Sequence, residues 1–200
     1  MAVIDIGAAA INRAGSIDIW ALTAVEASNP ADGTGNIDTV EAWWNYKLDP
    51  SDAYVGTFSA VGNVLTCRDS QSIGDVITGS KQTYTGLTIS VVTGDYIGTK
   101  DKAGSNELYI ERASSGGTGN WYYAGEVIDP SDSATFGYSN TYIMSLYGTG
   151  VTAGGGGWAN IKNMRMGTGS ITATDLASIW FGTTEVAVAD IAELPVGVAV

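Results

Sequence analysis

The chain contains no histidine and a single cysteine, Cys67. Histidine is the side chain most often used for proton transfer near neutral pH, and it is the commonest metal ligand. Its absence removes the Ser–His and Cys–His pairs that activate many nucleophiles. One cysteine cannot form an internal disulfide bond. We therefore expect a protein that is not an enzyme and that needs no cofactor beyond, at most, a structural calcium ion.

Basic residues are also scarce. Nine Lys and Arg stand against 21 Asp and Glu, which gives a net charge of −12 at pH 7. Nucleic-acid binding depends on clustered positive charge, whereas these nine residues are scattered along the chain. No apolar run approaches the roughly 18 residues that a membrane-spanning helix requires. We therefore expect neither nucleic-acid binding nor membrane insertion. The N-terminus lacks the positive region of a secretory signal peptide, so we also expect none.

Glycine, by contrast, is plentiful, and its 27 residues punctuate short apolar segments. Residues 85–92 show the clearest alternation, since every second residue is apolar. Gly62 and Asn63, between two such segments, predict a tight hairpin turn. Residues 17–25 read as one continuous strand. Many short strands with turn signals between them predict an all-β fold, and we expect an antiparallel β-sandwich of jelly-roll type.

The chain divides into three predicted parts. Residues 1–16 are an apolar N-terminal arm, and residues 17–152 are the β-sandwich core. Residues 153–200 comprise a Gly-rich link, a last strand and a C-terminal arm, with room for one or two brief helices, one of them at about 172–180. Apolar arms must be buried on their own sandwich or on a neighbouring subunit. The arm residues expected to make these contacts are Val3, Ile4, Ile6, Leu194, Val196, Val198 and Val200.

Two groups of aromatic residues are candidates for ligand binding. Neighbouring residues of a strand point to opposite faces, so one ring of each group can lie in the core and another on the surface. Exposed Trp and Tyr rings stack on sugars or form protein interfaces. Core packing with subunit contact, and a carbohydrate-binding surface, both remain open at this stage. The candidate ligand-binding residues are Trp43, Trp44, Trp121 and Tyr123.

Acidic residues in predicted turns are candidate calcium ligands, because calcium takes several loop oxygens. Their spacing matches no defined calcium loop. The same side chains also bond backbone N–H groups in ordinary turns, which is the reading we favour. The candidates are Asp32, Asp38, Asp49, Asp52, Asp129 and Asp132.

Residues 36–41 resemble the Glu-x-Asp-x-x-Glu strand motif of laminarinase-type glycoside hydrolases. In that family the first Glu is the nucleophile and the last Glu is the general acid. Asn36 stands at the nucleophile position here, and an amide cannot form the glycosyl intermediate. We interpret the segment as a strand whose polar residues face solvent.

Residues 79–98 are similar to a pattern found in phage and environmental viral proteins of jelly-roll type. The shared feature is a strand, a Gly-Asp-aromatic-Ile-Gly turn at 94–98, and a further strand. Residues 1–10 and 145–150 look like the same uncharacterised group. The resemblance implies a virion surface protein, either a capsid decoration protein or a head or tail fibre component.

This resemblance also carries expectations about partners. The chain would be made in the host cytoplasm and would assemble, with three-fold symmetry as the first expectation, as a homo-oligomer beside other virion proteins on a phage-like particle. The arms would dock on neighbours, and the acidic surface would keep particles apart. The alternative is a carbohydrate-binding, receptor-binding module that contacts surface glycans through its exposed Trp and Tyr residues.

Overall fold

The computed structural model describes residues 3–103 and 107–152, together with the backbone of residues 178–181 and 184–187. The chain divides into two compact units, Met1–Gly156 and Gly157–Val200. Every regular element in the described residues is a β-strand, which confirms the predicted all-β class. Across these same residues, no helix has the length and apolar character needed to cross a membrane.

The first unit contains fourteen strands, and the second contains an antiparallel pair. The strands of the first unit are β1 (Val3–Gly7), β2 (Gly15–Asp18), β3 (Leu22–Glu26), β4 (Gly35–Lys47), β5 (Ala53–Val61), β6 (Val64–Gly74), β7 (Lys81–Val91), β8 (Tyr96–Asp101), β9 (Leu108–Ala113), β10 (Asn120–Ala124), β11 (Ser133–Thr135), β12 (Gly137–Ser139), β13 (Ile143–Met144) and β14 (Leu146–Thr152). The strands of the second unit are β15 (Ser178–Phe181) and β16 (Thr184–Ala187).

Two seven-stranded antiparallel sheets form the first unit. Sheet 1 has the order β1-β14-β4-β9-β13, with β7 also paired to β4 and β2 paired to β9. Sheet 2 has the order β11-β6-β5-β8-β3-β10-β12. Eight strands form nested pairs, β1 with β14, β3 with β8, β4 with β7 and β5 with β6. This wrapping of one long hairpin around two sheets is the jelly-roll arrangement, as predicted.

The main core lies between the two sheets. The alternation predicted for residues 85–92 is confirmed, because Leu87, Ile89 and Val91 of β7 are all buried. In β4, Ile37 and Val40 both face inward although they are three residues apart. The register shifts between them against both neighbouring strands, as a β-bulge requires.

Residues 1–16, predicted as an arm, supply part of the sandwich itself. Ile4 and Ile6 of β1 are fully buried in the inter-sheet core, and β1 pairs with β14 along its whole length. Val3 faces outward and is 68% exposed. The N-terminal segment is therefore buried on its own chain, which was one of the two alternatives considered.

The predicted continuous strand at 17–25 is interrupted. The Asp18 carboxylate accepts the N–H of Trp20 at 2.9 Å and that of Ala21 at 3.4 Å, which closes a turn after β2. β2 consequently joins sheet 1, whereas β3 crosses to sheet 2. The predicted hairpin at Gly62 and Asn63 is confirmed, since it connects β5 and β6.

The predicted C-terminal features fall almost entirely outside the described residues. These include the Gly-rich link and the arm residues Leu194, Val196, Val198 and Val200. Of the helix predicted at about 172–180, the described part is Ser178 to Trp180, which is strand β15.

A second hydrophobic core lies on the outer face of sheet 2. Val25, Phe58 and Leu65 point outward from β3, β5 and β6. Residues 125–136, which we term the cover segment, contribute Val127, Ile128 and Phe136 to this core, and residues 133–135 within the segment form the edge strand β11 of sheet 2. The sandwich therefore has a third layer on one side.

Gly98 of β8 shows how closely this second core is packed. A Cβ atom at Gly98 would lie 2.7 Å from the Phe58 ring and 2.8 Å from Val25 Cγ2. Such distances are well inside van der Waals contact, so the absence of a side chain at Gly98 lets Phe58 settle against the sheet.

Sheet edges are blocked by local structure. Beside β1, Asp32 Oδ1 accepts the Asp5 N–H at 2.9 Å. Beside β7, Asp69 Oδ2 accepts the Ser90 N–H at 2.8 Å. The edge strands β11 and β12 of sheet 2 have three residues each. Short edges and local caps of this kind reduce the number of backbone groups open to pairing with another chain.

Candidate functional site

The structure separates the two neighbouring tryptophans of β4. Trp44 is fully buried in the inter-sheet core, where its Nε1 donates to the Tyr84 hydroxyl at 2.8 Å. Trp44 is therefore not available to a ligand. Trp43 is half-buried on the opposite, outer face of sheet 1, across from Lys81 of β7.

Trp121 and Tyr123, the second pair of aromatic candidates, belong to the second core. Trp121 is 8% exposed, and its ring lies edge-on to Tyr96 with 4.7 Å between centroids. Tyr123 is partly buried, with its ring centroid 5.5 Å from that of Phe136. Tyr123 therefore packs against the cover segment, whereas Trp121 packs between Tyr96 and Tyr138, whose ring centroid lies 5.2 Å away. The residue between Trp121 and Tyr123, Tyr122, is 40% exposed, and the sequence reading passed over it.

Tyr122 lines a groove among the described residues. The groove has a volume of about 490 Å³ and is open to solvent, and its walls come from β2 and β9 of sheet 1 and from β3, β10 and β12 of sheet 2. This volume lies in the range typical of sites for small ligands. Its polar and aromatic lining includes Ser16, Asp18, Arg112, Tyr122, Tyr138 and Tyr142.

Arg112 holds a fixed position in this groove. Its guanidinium carbon lies 3.8 Å from the centroid of the Tyr142 ring, a stacked cation–π geometry. Across the groove, the Tyr122 ring rests against Gly137, where a Cβ would lie only 2.7 Å away. The groove thus presents a positioned guanidinium together with aromatic rings. Tyrosine and arginine spacing alone could not reveal this group, because it depends on strand order.

Asp129 and Asp132, two of the candidate calcium ligands, are brought together. With Glu126, which the sequence reading missed, they place carboxylate oxygens within 4.8 Å of one another. Lys102 Nζ lies 2.7 Å from Asp129 Oδ1 and offsets part of this negative charge. Three carboxylates supply only part of the six to eight oxygens that calcium usually takes.

The other acidic candidates are dispersed. Asp32 caps the β1 edge, and the Asp38 carboxylate accepts a hydrogen bond of 2.8 Å from the Thr39 hydroxyl. Asp52 accepts from the Ser72 hydroxyl at 2.9 Å, while Asp49 is an exposed residue after β4. These contacts are those of ordinary turn and strand chemistry.

A buried polar cluster holds the segment after β1 against the sandwich. Glu26 and Glu111 are both buried, and Glu26 accepts the N–H groups of Met144 and Ser28. Arg13 donates through Nε to the Ser145 hydroxyl at 2.8 Å, and its backbone N–H donates to Glu111 at 2.9 Å. Burial raises the pKa of Glu26, against the opposing effects of these hydrogen bonds and of Arg13.

Cys67 is buried in the second core. Burial, reinforced by the nearby carboxylates of Asp132 and Asp69, raises the pKa of its thiol to about 12. The Sγ atom lies 3.2 Å from the Ile128 carbonyl oxygen, beneath the cover segment. A neutral, covered thiol is a poor nucleophile.

The outer face of sheet 1 is uncovered by any described segment. Thr149, Thr39 and Thr85 lie opposite one another across β14, β4 and β7. Glu41 on the same face forms an ion pair with Lys81 at 2.7 Å. In the segment that resembles the hydrolase motif, Glu41 is therefore neutralised by a lysine rather than placed in a cleft.

No family model, curated protein or solved structure matches this chain. The fold and the groove together define a jelly-roll β-sandwich that carries an aromatic surface groove. Any functional assignment therefore depends on the chemistry of its surfaces.

Proposed function

We propose that the chain is a non-enzymatic surface component of a virus-like particle, a capsid decoration protein or a head or tail fibre component, which assembles with copies of itself. The observation that supports assembly best is the uncovered outer face of sheet 1. Jelly-roll sandwiches are common among viral capsid and lectin domains. Because a fold does not determine function, the argument rests on this face.

The outer face of sheet 1 carries exposed apolar side chains. Val3 and Val151 stand opposite each other on β1 and β14, and both are exposed. Trp43 lies further along the same face, and the Glu41–Lys81 ion pair cancels two of its charges. Elsewhere a chain of net charge −12 repels its own copies. We propose that the exposed valines and Trp43 of this face make the apolar contact between copies that offsets this repulsion.

Assembly through this face also agrees with the blocked sheet edges. The caps beside β1 and β7 leave little free backbone for pairing with a strand of another chain. The N-terminal residues Ile4 and Ile6 are already buried in their own sandwich. We therefore propose contact between faces, in a homo-oligomer that also contacts other virion proteins.

The test is the mass of the full chain in solution, measured by size-exclusion chromatography with light scattering. We expect an oligomer that Val151→Arg dissociates, because the substitution replaces an exposed apolar side chain of this face by a charge. Val61→Arg is the matched control, since Val61 is 82% exposed at the β5–β6 turn and lies on neither outer face. A monomeric wild type, or equal dissociation by both variants, would refute this proposal.

A second candidate function is carbohydrate binding, which the groove at Tyr122 favours. Positioned tyrosine rings beside hydrogen-bonding groups suit the apolar faces and hydroxyls of sugars. This site replaces the one expected at Trp44 and Trp121, which are buried. Glycan-array binding that Tyr122→Ala abolishes, with the fold retained by circular dichroism, would support it.

A further inference from the structure

We propose that the groove between the two sheets binds an acidic saccharide, with Arg112 binding a carboxylate or sulfate and Tyr122 stacking on a sugar ring. The inference deepens the second candidate function by naming its ligand class. It rests on the pairing of cations in this chain, on the geometry of Arg112 and on the lining of the groove.

Arg112 is exceptional among the cationic residues. Of the nine Lys and Arg, Lys162 and Arg165 lie outside the described residues, which leaves seven. Six of these have an oxygen acceptor: Arg13, Lys47, Arg68, Lys81, Lys100 and Lys102. The side chain of Arg112 instead packs on the ring of Tyr142, and it donates to no oxygen atom within residues 3–103 and 107–152. The chain has more than two acidic residues for each basic one, so carboxylate partners are abundant, and yet Arg112 is not paired with one.

The stacking on Tyr142 leaves the donors of Arg112 usable. A guanidinium that packs with its flat side on a ring keeps its N–H groups around the edge of its plane. Those N–H groups match the two oxygens of a carboxylate, or those of a sulfate, in a forked geometry. The ring contact also fixes the side chain before binding, which reduces the entropy lost on binding.

The remaining lining suits a sugar. Tyr122 is 40% exposed, and its ring is held in place against Gly137. Tyr138 lies on the neighbouring strand, but its ring packs against Trp121 on the outer face of sheet 2, with 5.2 Å between centroids. Asp18 is anchored by two backbone N–H groups through Oδ1. Its carboxylate can accept a sugar hydroxyl while Arg112 takes the acidic group.

The charge of the chain limits how acidic the ligand can be. Asp18 lies in the same groove, and the molecule as a whole carries −12, so a dense polyanion such as nucleic acid is repelled. One cation with unused donors corresponds to one acidic group. The ligand is therefore a saccharide with a single acidic group within the groove, on an otherwise neutral sugar surface.

The test is titration calorimetry of the full chain with matched oligosaccharides. After an array selects a backbone, the three probes carry a carboxylate, a sulfate or the uncharged methyl ester at one position. We expect the acidic probes to bind roughly tenfold or more tightly than the ester. A hydrogen bond to a charged group contributes more binding free energy than a neutral one, and the difference corresponds to about this factor in the dissociation constant. The better of the two acidic probes identifies the group that Arg112 takes.

Two variants separate the contribution of the Arg112 charge to binding from that of the aromatic lining of the groove. Arg112→Gln should remove the advantage of the acidic probe and leave ester binding unchanged, whereas Tyr122→Ala should weaken both. Lys81→Gln, which removes the same charge from the outer face of sheet 1, is the control and should change neither. Thermal unfolding checks that each variant is folded.

The possible failures are distinguishable. Equal binding of ester and acid, unaffected by Arg112→Gln, would overturn the acidic-ligand inference and keep the carbohydrate function. Failure of every acidic and neutral sugar on the array would overturn both. Neither result affects the proposal of assembly, which light scattering decides.

Discussion

The outer faces of the two sheets differ although both follow from the same strand alternation. Sheet 2 turns Val25, Phe58 and Leu65 outward, and the cover segment buries them. Sheet 1 turns Thr39, Thr85 and Thr149 outward, and no described segment lies over them. A sheet face that is apolar needs a further layer, whereas one lined by threonine can stay in water or meet a partner.

This difference separates stability from recognition within one domain. The covered face adds a second core and so contributes to the free energy of unfolding. The open face contributes little to the free energy of unfolding, so its residues can be substituted with little loss of stability. Substitutions on the two faces should therefore have different consequences.

The largest expected effect is on the covered face. Phe136→Ala removes a buried ring of the cover segment, and it should lower the free energy of unfolding by about 3–5 kcal/mol. Val151→Ala on the open face should change it by less than about 0.5 kcal/mol. Urea denaturation of both variants measures the contrast, and equal losses would contradict it.

The reactivity of Cys67 tests whether the cover segment protects the second core. Its thiol should be unreactive towards a thiol reagent in the native protein, because it is buried and its pKa is about 12. Phe136→Ala should speed its labelling, whereas Val151→Ala should not. If labelling were fast in the wild type, the cover segment would not protect the second core.

A smaller effect is expected at Gly98, where the second core meets the sheet. Gly98→Ala forces a methyl group to within 2.7 Å of the Phe58 ring, and the strain should cost about 1–3 kcal/mol. Phe58→Leu in the same chain should recover part of this loss, since it creates room. Two purely additive penalties in a double-mutant cycle would argue against the contact.

The smallest effect is a change in pH dependence at Glu26. Because burial raises the pKa of Glu26, the folded state holds its proton more tightly than the unfolded state. Its contribution to stability is full below the unfolded pKa, about 4.5, and is lost as the pH rises through the folded value. Glu26→Gln should therefore flatten the fall in stability above this pH. Denaturation midpoints from pH 4 to 8 measure the slope, and parallel curves would contradict the prediction.

Local pattern predicted much of the fold. The alternation of Leu87, Ile89 and Val91 and the turn at Gly62 are read correctly because each depends on neighbouring residues alone. The break at Asp18 was missed because it arises from one side chain that caps a turn inside an apolar run.

The candidate site was harder to predict. Alternation places Trp43 and Trp44 on opposite faces, yet it cannot say which face is covered. The groove joins Arg112 and Tyr122, which lie on different sheets, so their proximity depends on strand order. Glu126 likewise joins Asp129 and Asp132 only through the path of the cover segment.

The pairing of β1 with β14 has a consequence for how the molecule is made. Val3 and Val151 are direct partners, so the first strand of sheet 1 has no neighbour until almost 150 further residues have been synthesised. The sandwich cannot close before β14 has emerged, and until then the apolar β1 strand is exposed to other molecules. Contacts this distant in sequence are typical of slow folding. The jelly roll should accordingly close only after β14 has been synthesised, and its yield should depend on how well β1 is protected from aggregation in the interval.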